Sequence, residues 1–158
     1  MTTCALCNGP LEAGRVDHIV AVGDEQVSVS VAAEICRECN ESFVDDAALK
    51  LAEAKVAVAI IQSGGPNGAR FRFLRHFLGL TAKGLGELLK IDPSTISRWE
   101  RENKDRSPDR LAWFALTTLV RDHITGQDDG RDILRAMEQP RPLTLPRDSS
   151  APFASARS

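Results

Sequence analysis

"DPSTISRWERE", Asp92 to Glu102, opens with a helix start and then divides into two faces. Asp92 suits the N-cap. Pro93 lacks the N–H that a first helical residue would leave unpaired, so it suits the position after the cap. Ser94, Ser97, Arg98 and Arg101 recur at i, i+3, i+4 and i+7 and share one side of the helix. Ile96 and Trp99 lie on another side, at the spacing of a buried seam. Small hydroxyls and Arg outward, with bulky apolar groups inward, suit entry into the DNA major groove. Small residues let a helix approach the bases there, and Arg can fork onto guanine. The same pattern also suits a small bundle with a solvated polar face, and this helix alone does not separate the two.

Working outward, "TAKGLGELLKI" (Thr81 to Ile91) predicts a preceding helix with Thr81 as N-cap, joined to the first by the tight "KIDP" turn. "ARFRFLRHFLG" (Ala69 to Gly79) places Phe71, Leu74, Phe77 and Leu78 on one face, and Gly79 stops it. "SPDRLAWFALTTLVRDHI" (Ser107 to Ile124) again begins Ser then Pro and predicts a fourth helix. Residues 70–125 therefore read as an all-α domain built around a helix-turn-helix. Thr81, Lys83 and Thr95 join Ser94, Ser97, Arg98 and Arg101 as candidate DNA contacts. Residues 126–158 read as a tail: one loose helix in "DDGRDILRAMEQ", then a Pro-, Ser- and Arg-rich end whose composition predicts disorder.

On the other side, "SGGPNGA" (Ser63 to Ala69) marks a flexible linker, residues 63–69. Before it, "VDHIVAV" and "QVSVSVAAEI" are β-branched and alternating, with "GDE" between them, and predict a β-hairpin. Asp45 to Ile61 is Ala-rich with acidic residues at its start, and reads as a helix. All the cysteines of the chain fall in this half, in two matched pairs, Cys4 with Cys7 and Cys36 with Cys39, separated by 28 residues. Each C-x-x-C turn can aim two thiolates at one point, and two such turns supply the four soft ligands of a tetrahedral zinc site. Redox pairs or unrelated buried thiols are the alternatives; the lack of any other cysteine favours one structural Zn2+ per chain. Four thiolates leave no open coordination position, and a small β-rich domain with little core needs such a clip. His18 has no partner spacing and reads as an ordinary strand histidine. Residues 1–62 are thus expected to be a zinc-ribbon-like β domain with one helix, and the whole chain a two-domain α+β protein.

Composition narrows the function classes. A hydrophobic share of 42% is ordinary for a folded chain, and no run approaches the 18 or more apolar residues of a membrane span. The start, "MTTCALCNGP", lacks the basic and apolar regions of a secretory signal, so a cytoplasmic protein with reduced thiols is expected. The net charge of −2 hides an asymmetry: residues 1–67 carry 4 Lys+Arg against 10 Asp+Glu, whereas residues 68–123 carry 11 against 7. Unlike halves suggest unlike partners. His18, His76 and His123 have no catalytic neighbours in sequence and no Ser/His/Asp set appears, so an enzyme is not expected.

"LGLTAKGLGELLKIDPSTISRWERENKDRSPDRL" resembles the lambda-repressor-like (XRE-type) helix-turn-helix, over Ala69 to His123. That resemblance implies an ion pair between Arg75 and Glu100, and a small residue at Gly86 for close helix packing. The family often has Gln where this chain has Ala82. The chain as a whole, with paired cysteines, a strand-rich insert, "CRECNES" leading into a helix, a linker and the helix-turn-helix, looks like the MqsA-type (YgiT-type zinc-finger) antitoxins. The resemblance implies a zinc domain that binds a small, basic ribonuclease toxin, and a homodimeric second domain that represses its operon at a palindromic operator in double-stranded DNA. Arg98 matches a base-reading Arg of that family, while Ser94 stands where it has a base-reading Asn, so a different operator is implied. A stand-alone zinc-containing regulator with no toxin partner is the alternative. An interaction adaptor with a degraded helix-turn-helix fits less well with the basic charge of residues 68–123.

Overall fold

The computed structural model describes residues 3–101, 107–127 and 129–139. It is a mixed α+β chain: a three-stranded antiparallel sheet followed by six helices. Strand β1 (Leu11–Val22) turns through Gly23 and Asp24 into β2 (Glu25–Cys36), and the two pair without a break from Leu11↔Cys36 to Val22↔Glu25. A short β3 (Ser42–Phe43) adds to β2. The hairpin has the alternation that the sequence predicts, with Val20, Val22, Val31 and Ala33 buried on one face. Both strands run further toward the open end than the β-branched stretches suggest. Gly14, which looks like a strand breaker, is where Ile35 crosses from the partner strand; a Cβ at Gly14 would lie 2.6 Å from Ile35 Cδ1.

The helices are α1 (Asp46–Ser63), α2 (Gly68–Phe77), α3 (Ala82–Leu89), α4 (Pro93–Glu100), α5 (Arg110–Thr125) and α6 (Asp129–Glu138). Side chains cap five of them. Asp45, Asn67, Thr81 and Asp92 accept from the backbone N–H groups of Ala48, Arg70, Gly84 and Ser94, at 2.6, 2.8, 2.9 and 2.8 Å. Asp109 accepts from Leu111 and Ala112. Thr81 and Asp92 cap as expected. At α5 the cap is Asp109 rather than the Ser-Pro pair before it, and the Ser107 hydroxyl instead donates to the Pro66 carbonyl.

The apolar residues of the two halves do not form separate cores. Val20, Val22 and Val31 of the hairpin, Val56 and Ile60 of α1, Phe71 and Leu74 of α2, Leu85, Ile96 and Leu116 all belong to one buried cluster. Helix α1 makes the join, packing on the hairpin and on α2 and α5, with Ala52, Val56, Ala57 and Ile60 buried. The linker is also shorter than residues 63–69: α1 runs through Ser63, α2 starts at Gly68, and only Gly64 to Asn67 remain between them. Arg70 holds this connection, donating to Ser63 Oγ (3.1 Å), to the Gly64 carbonyl (3.3 Å) and to the Glu25 carboxylate at the hairpin turn (3.0 Å). The first part of the expected tail is the helix α6, which packs on α5 and α3 with Leu134 against the core. The Pro- and Ser-rich end from residue 140 lies outside the described residues. No described helix is long and apolar enough to cross a membrane.

Candidate metal centre and candidate nucleic-acid face

The unbroken register of the hairpin decides where the cysteines go. Leu11 pairs with Cys36 at the open end, so the turn before β1 and the turn after β2 lie side by side. The two turns repeat one geometry. Asn8 N–H donates to the Cys4 carbonyl and Cys4 N–H to the Gly9 carbonyl, both at 2.9 Å. Asn40 N–H donates to the Cys36 carbonyl at 3.0 Å and Cys36 N–H to the Glu41 carbonyl at 2.8 Å. Each turn closes on an Asn in the left-handed region, Asn8 at φ 60° and Asn40 at φ 57°, a conformation that Asn tolerates better than most residues.

These turns bring the sulfurs of Cys4, Cys7, Cys36 and Cys39 within 4.8 Å of one another. The Cys4–Cys39 and Cys7–Cys36 sulfurs are 3.7 and 3.4 Å apart, and no disulfide joins any of them. Tetrahedral Zn–S bonds of about 2.3 Å require sulfur–sulfur separations of about 3.8 Å, so the four thiols fit a metal of that size and preference. Cys4 and Cys36 are buried; Cys7 and Cys39 are exposed. Without a metal the thiols share their protons unequally: Cys36 is lowered to about 7, chiefly by the Cys39 backbone N–H, whereas Cys7 is pushed up to about 12 against the Gly9 backbone N–H, by its neighbours Cys36 and Cys39, and Cys39 is raised as well. His18 lies elsewhere, on the inner face of β1 opposite Val29, and is no part of the cluster.

At the other end of the molecule, α3 and α4 meet across Lys90, Ile91 and Asp92. Helix α4 has the two faces that its spacing predicts. Ile96 is fully buried, and Trp99 meets Phe71 edge-on with ring centroids 5.7 Å apart. Ser94, Arg98 and Arg101 are exposed, while Thr95 and Ser97 are half-buried. Arg98 bends back along its own helix, its Nη2 donating to Ser94 Oγ at 3.2 Å. Thr81 and Lys83 are exposed at the start of α3, where the Thr81 hydroxyl is already engaged as the cap.

The C-terminal end of α4 is fixed by a near-buried ion pair. Arg75 Nε and Nη2 donate to the two oxygens of Glu100 at 2.6 and 2.7 Å, and Arg75 Nη1 donates to the Leu80 carbonyl at 2.7 Å. The pair implied by the resemblance is therefore present. Close backbone packing adds to it: a Cβ on Gly86 would lie 2.5 Å from the Ile91 carbonyl oxygen, leaving no room even for alanine.

One residue near this face was missed by sequence. Arg72 of α2 shares a shallow depression of about 350 Å³ with Ser97, Glu100 and Arg101. In sequence it is one more cation on the polar side of a helix, and only the packing of α2 against α4 brings it to that surface. No family model and no characterised protein matches the chain.

Proposed function

We propose that this chain is a sequence-specific DNA-binding repressor, clipped by one structural zinc ion, that acts as the antitoxin of a type II toxin–antitoxin pair. The observation that carries the reading is helix α4: Ser94, Arg98 and Arg101 face solvent, while Ile96, the Phe71–Trp99 contact and the Arg75–Glu100 pair fix its inner side. A reading helix needs that combination of small outward residues, forked cations and a rigid seat. A homodimer would present two such helices to half-sites about 34 Å apart, or a multiple of that spacing. Cys4, Cys7, Cys36 and Cys39 would hold the zinc, which would supply folding energy and no chemistry.

The partner-binding part of the proposal rests on charge. All ten carboxylates of residues 1–67 are exposed. Four thiolates around a divalent ion make that half still more negative, and such a surface repels DNA and attracts a cationic protein. A small basic ribonuclease is the expected partner, its RNA-binding surface covered by the acidic hairpin. Two experiments test the two parts. For DNA, Arg98→Ala should cost about 1–3 kcal/mol and relax discrimination at one base pair; unchanged affinity and preference in footprinting would show that α4 is not the reader. For the partner, the full chain is titrated against the protein of the adjoining gene at several salt concentrations. Association that slows steeply with salt supports the acidic surface, and no association leaves a regulator without a toxin.

A further inference from the structure

We infer that Arg72, Ser97 and Arg101 form a cradle for one backbone phosphate of the bound DNA, contributed jointly by α2 and α4. The inference rests on the proposed DNA-binding role of α4 and goes beyond it by assigning a contact to α2.

Two guanidinium groups and a hydroxyl line one open depression, and they reach it from two different helices. Arg72 and Arg101 are both exposed, and neither makes an ion pair with a described residue. The fourth lining residue, Glu100, is the one that would spoil an anion site. Its carboxylate is already held by two hydrogen bonds from Arg75, at 2.6 and 2.7 Å, and is only 9% exposed. Among the described residues, the carboxylate lining the depression is thus neutralised from behind, while the two guanidinium groups in front are in no ion pair. Arg in this state favours a bidentate anion, and a phosphodiester is the anion that a major-groove helix meets at its ends. Ser97 can add a hydroxyl donor on the same side as Arg98. A phosphate held from α2 as well as α4 would fix the angle at which α4 enters the groove, because two anchor points on different elements resist rotation better than one.

The cradle predicts a signature different from base reading. Duplexes are first selected from a randomised pool with the zinc-loaded full chain, and binding to a selected and a scrambled duplex is then followed across a salt series. Arg72→Ala should weaken both duplexes by the same factor, roughly 3- to 10-fold, and reduce the slope of log K against log salt by part of the about 0.9 that one phosphate contributes, since Arg101 remains on it; the full loss should need both arginines removed. Arg72→Lys should restore the slope. Combined with Arg101→Ala, the loss should be less than the product of the two single losses, since both residues serve one phosphate. An unchanged affinity and slope for Arg72→Ala would overturn the cradle, as would a loss confined to the selected duplex. If the wild-type chain enriches no sequence, the DNA-reading role of α4 falls first, a result distinct from failure at Arg72.

Discussion

Arg75 and Glu100 are the residues on which the geometry of α4 turns. Their side chains are 7% and 9% exposed, so each is largely removed from water and depends on the other for its charge. Removing one partner leaves the other buried and uncompensated. Arg75→Ala should therefore destabilise the chain by about 3 kcal/mol in urea unfolding, far more than loss of the surface pair between Arg70 and Glu25. A change within 0.5 kcal/mol would mean that the pair is freely hydrated. Asp92 makes a different prediction. The Ser94 hydroxyl and backbone N–H hold its carboxyl below the ordinary value of 3.8, so the folded chain takes up this proton less readily than the unfolded one. Its contribution is complete above that ordinary value and fades as pH falls through the folded one. Asp92→Asn keeps a capping oxygen and removes the titration. The gap in unfolding midpoint between the parent and Asp92→Asn should thus be widest near neutral pH, begin to narrow as pH falls past 3.8, and close only below the lowered folded value.

Among the elements, α3 and α4 owe their mutual placement to backbone contact. Gly86 costs α3 helix propensity, and Ala there would be favoured by up to about 1 kcal/mol in an isolated helix. The fold reverses that sign, because the added methyl would meet the Ile91 carbonyl at 2.5 Å, a main-chain atom that cannot swing aside. Gly86→Ala should lower stability by roughly 1–3 kcal/mol and also weaken DNA binding, since the turn into α4 must open to admit it. A stabilised variant with full DNA affinity would show that the turn yields freely. Gly68 stands in the same relation to the other end of α4: a Cβ there would meet the Trp99 carbonyl oxygen at 2.0 Å. The start of α2 and the end of α4 are thus in direct main-chain contact, which is why Arg72, on a different helix, can share a surface with Arg101.

For the molecule as a whole, the hairpin is anchored at its turn and clipped at its open end. Val20, Val22 and Val31 join the common core, whereas Cys4, Ala33 and Cys36 are buried outside it. Without metal the clipped end has little apolar contact to keep it closed. Chelation should therefore fray residues 3–14 and 33–41 while Val20 to Val31 and the helices stay ordered, read as faster amide exchange confined to those two stretches. DNA affinity should change less than twofold, because α4 is held by Arg75, Phe71 and Ile96 rather than by the clip. Global unfolding on chelation would instead mean that the metal and the common core form one cooperative unit.

The local chemistry was legible in the chain because each signal acts over a few residues. Alternating Val gives the hairpin, Thr81 and Asp92 give caps, the two C-x-x-C turns give four thiols with a common target, and the faces of α4 follow from helical spacing. The pairing of Arg75 with Glu100 was implied only by resemblance, since nothing in the spacing of two residues on different helices requires them to meet. What folding alone decided are the contacts between distant segments. The glycine-rich stretch reads as a flexible boundary, yet Arg70 spans it from α2 to Ser63, Gly64 and Glu25, and the apolar residues on either side share one core. A linker's composition sets how freely it can move, but the apolar area waiting on either side sets whether it does. Likewise Arg72 carries no sequence mark that distinguishes it from a solvated cation, because its partners are supplied by another helix and its value depends on where α2 crosses α4.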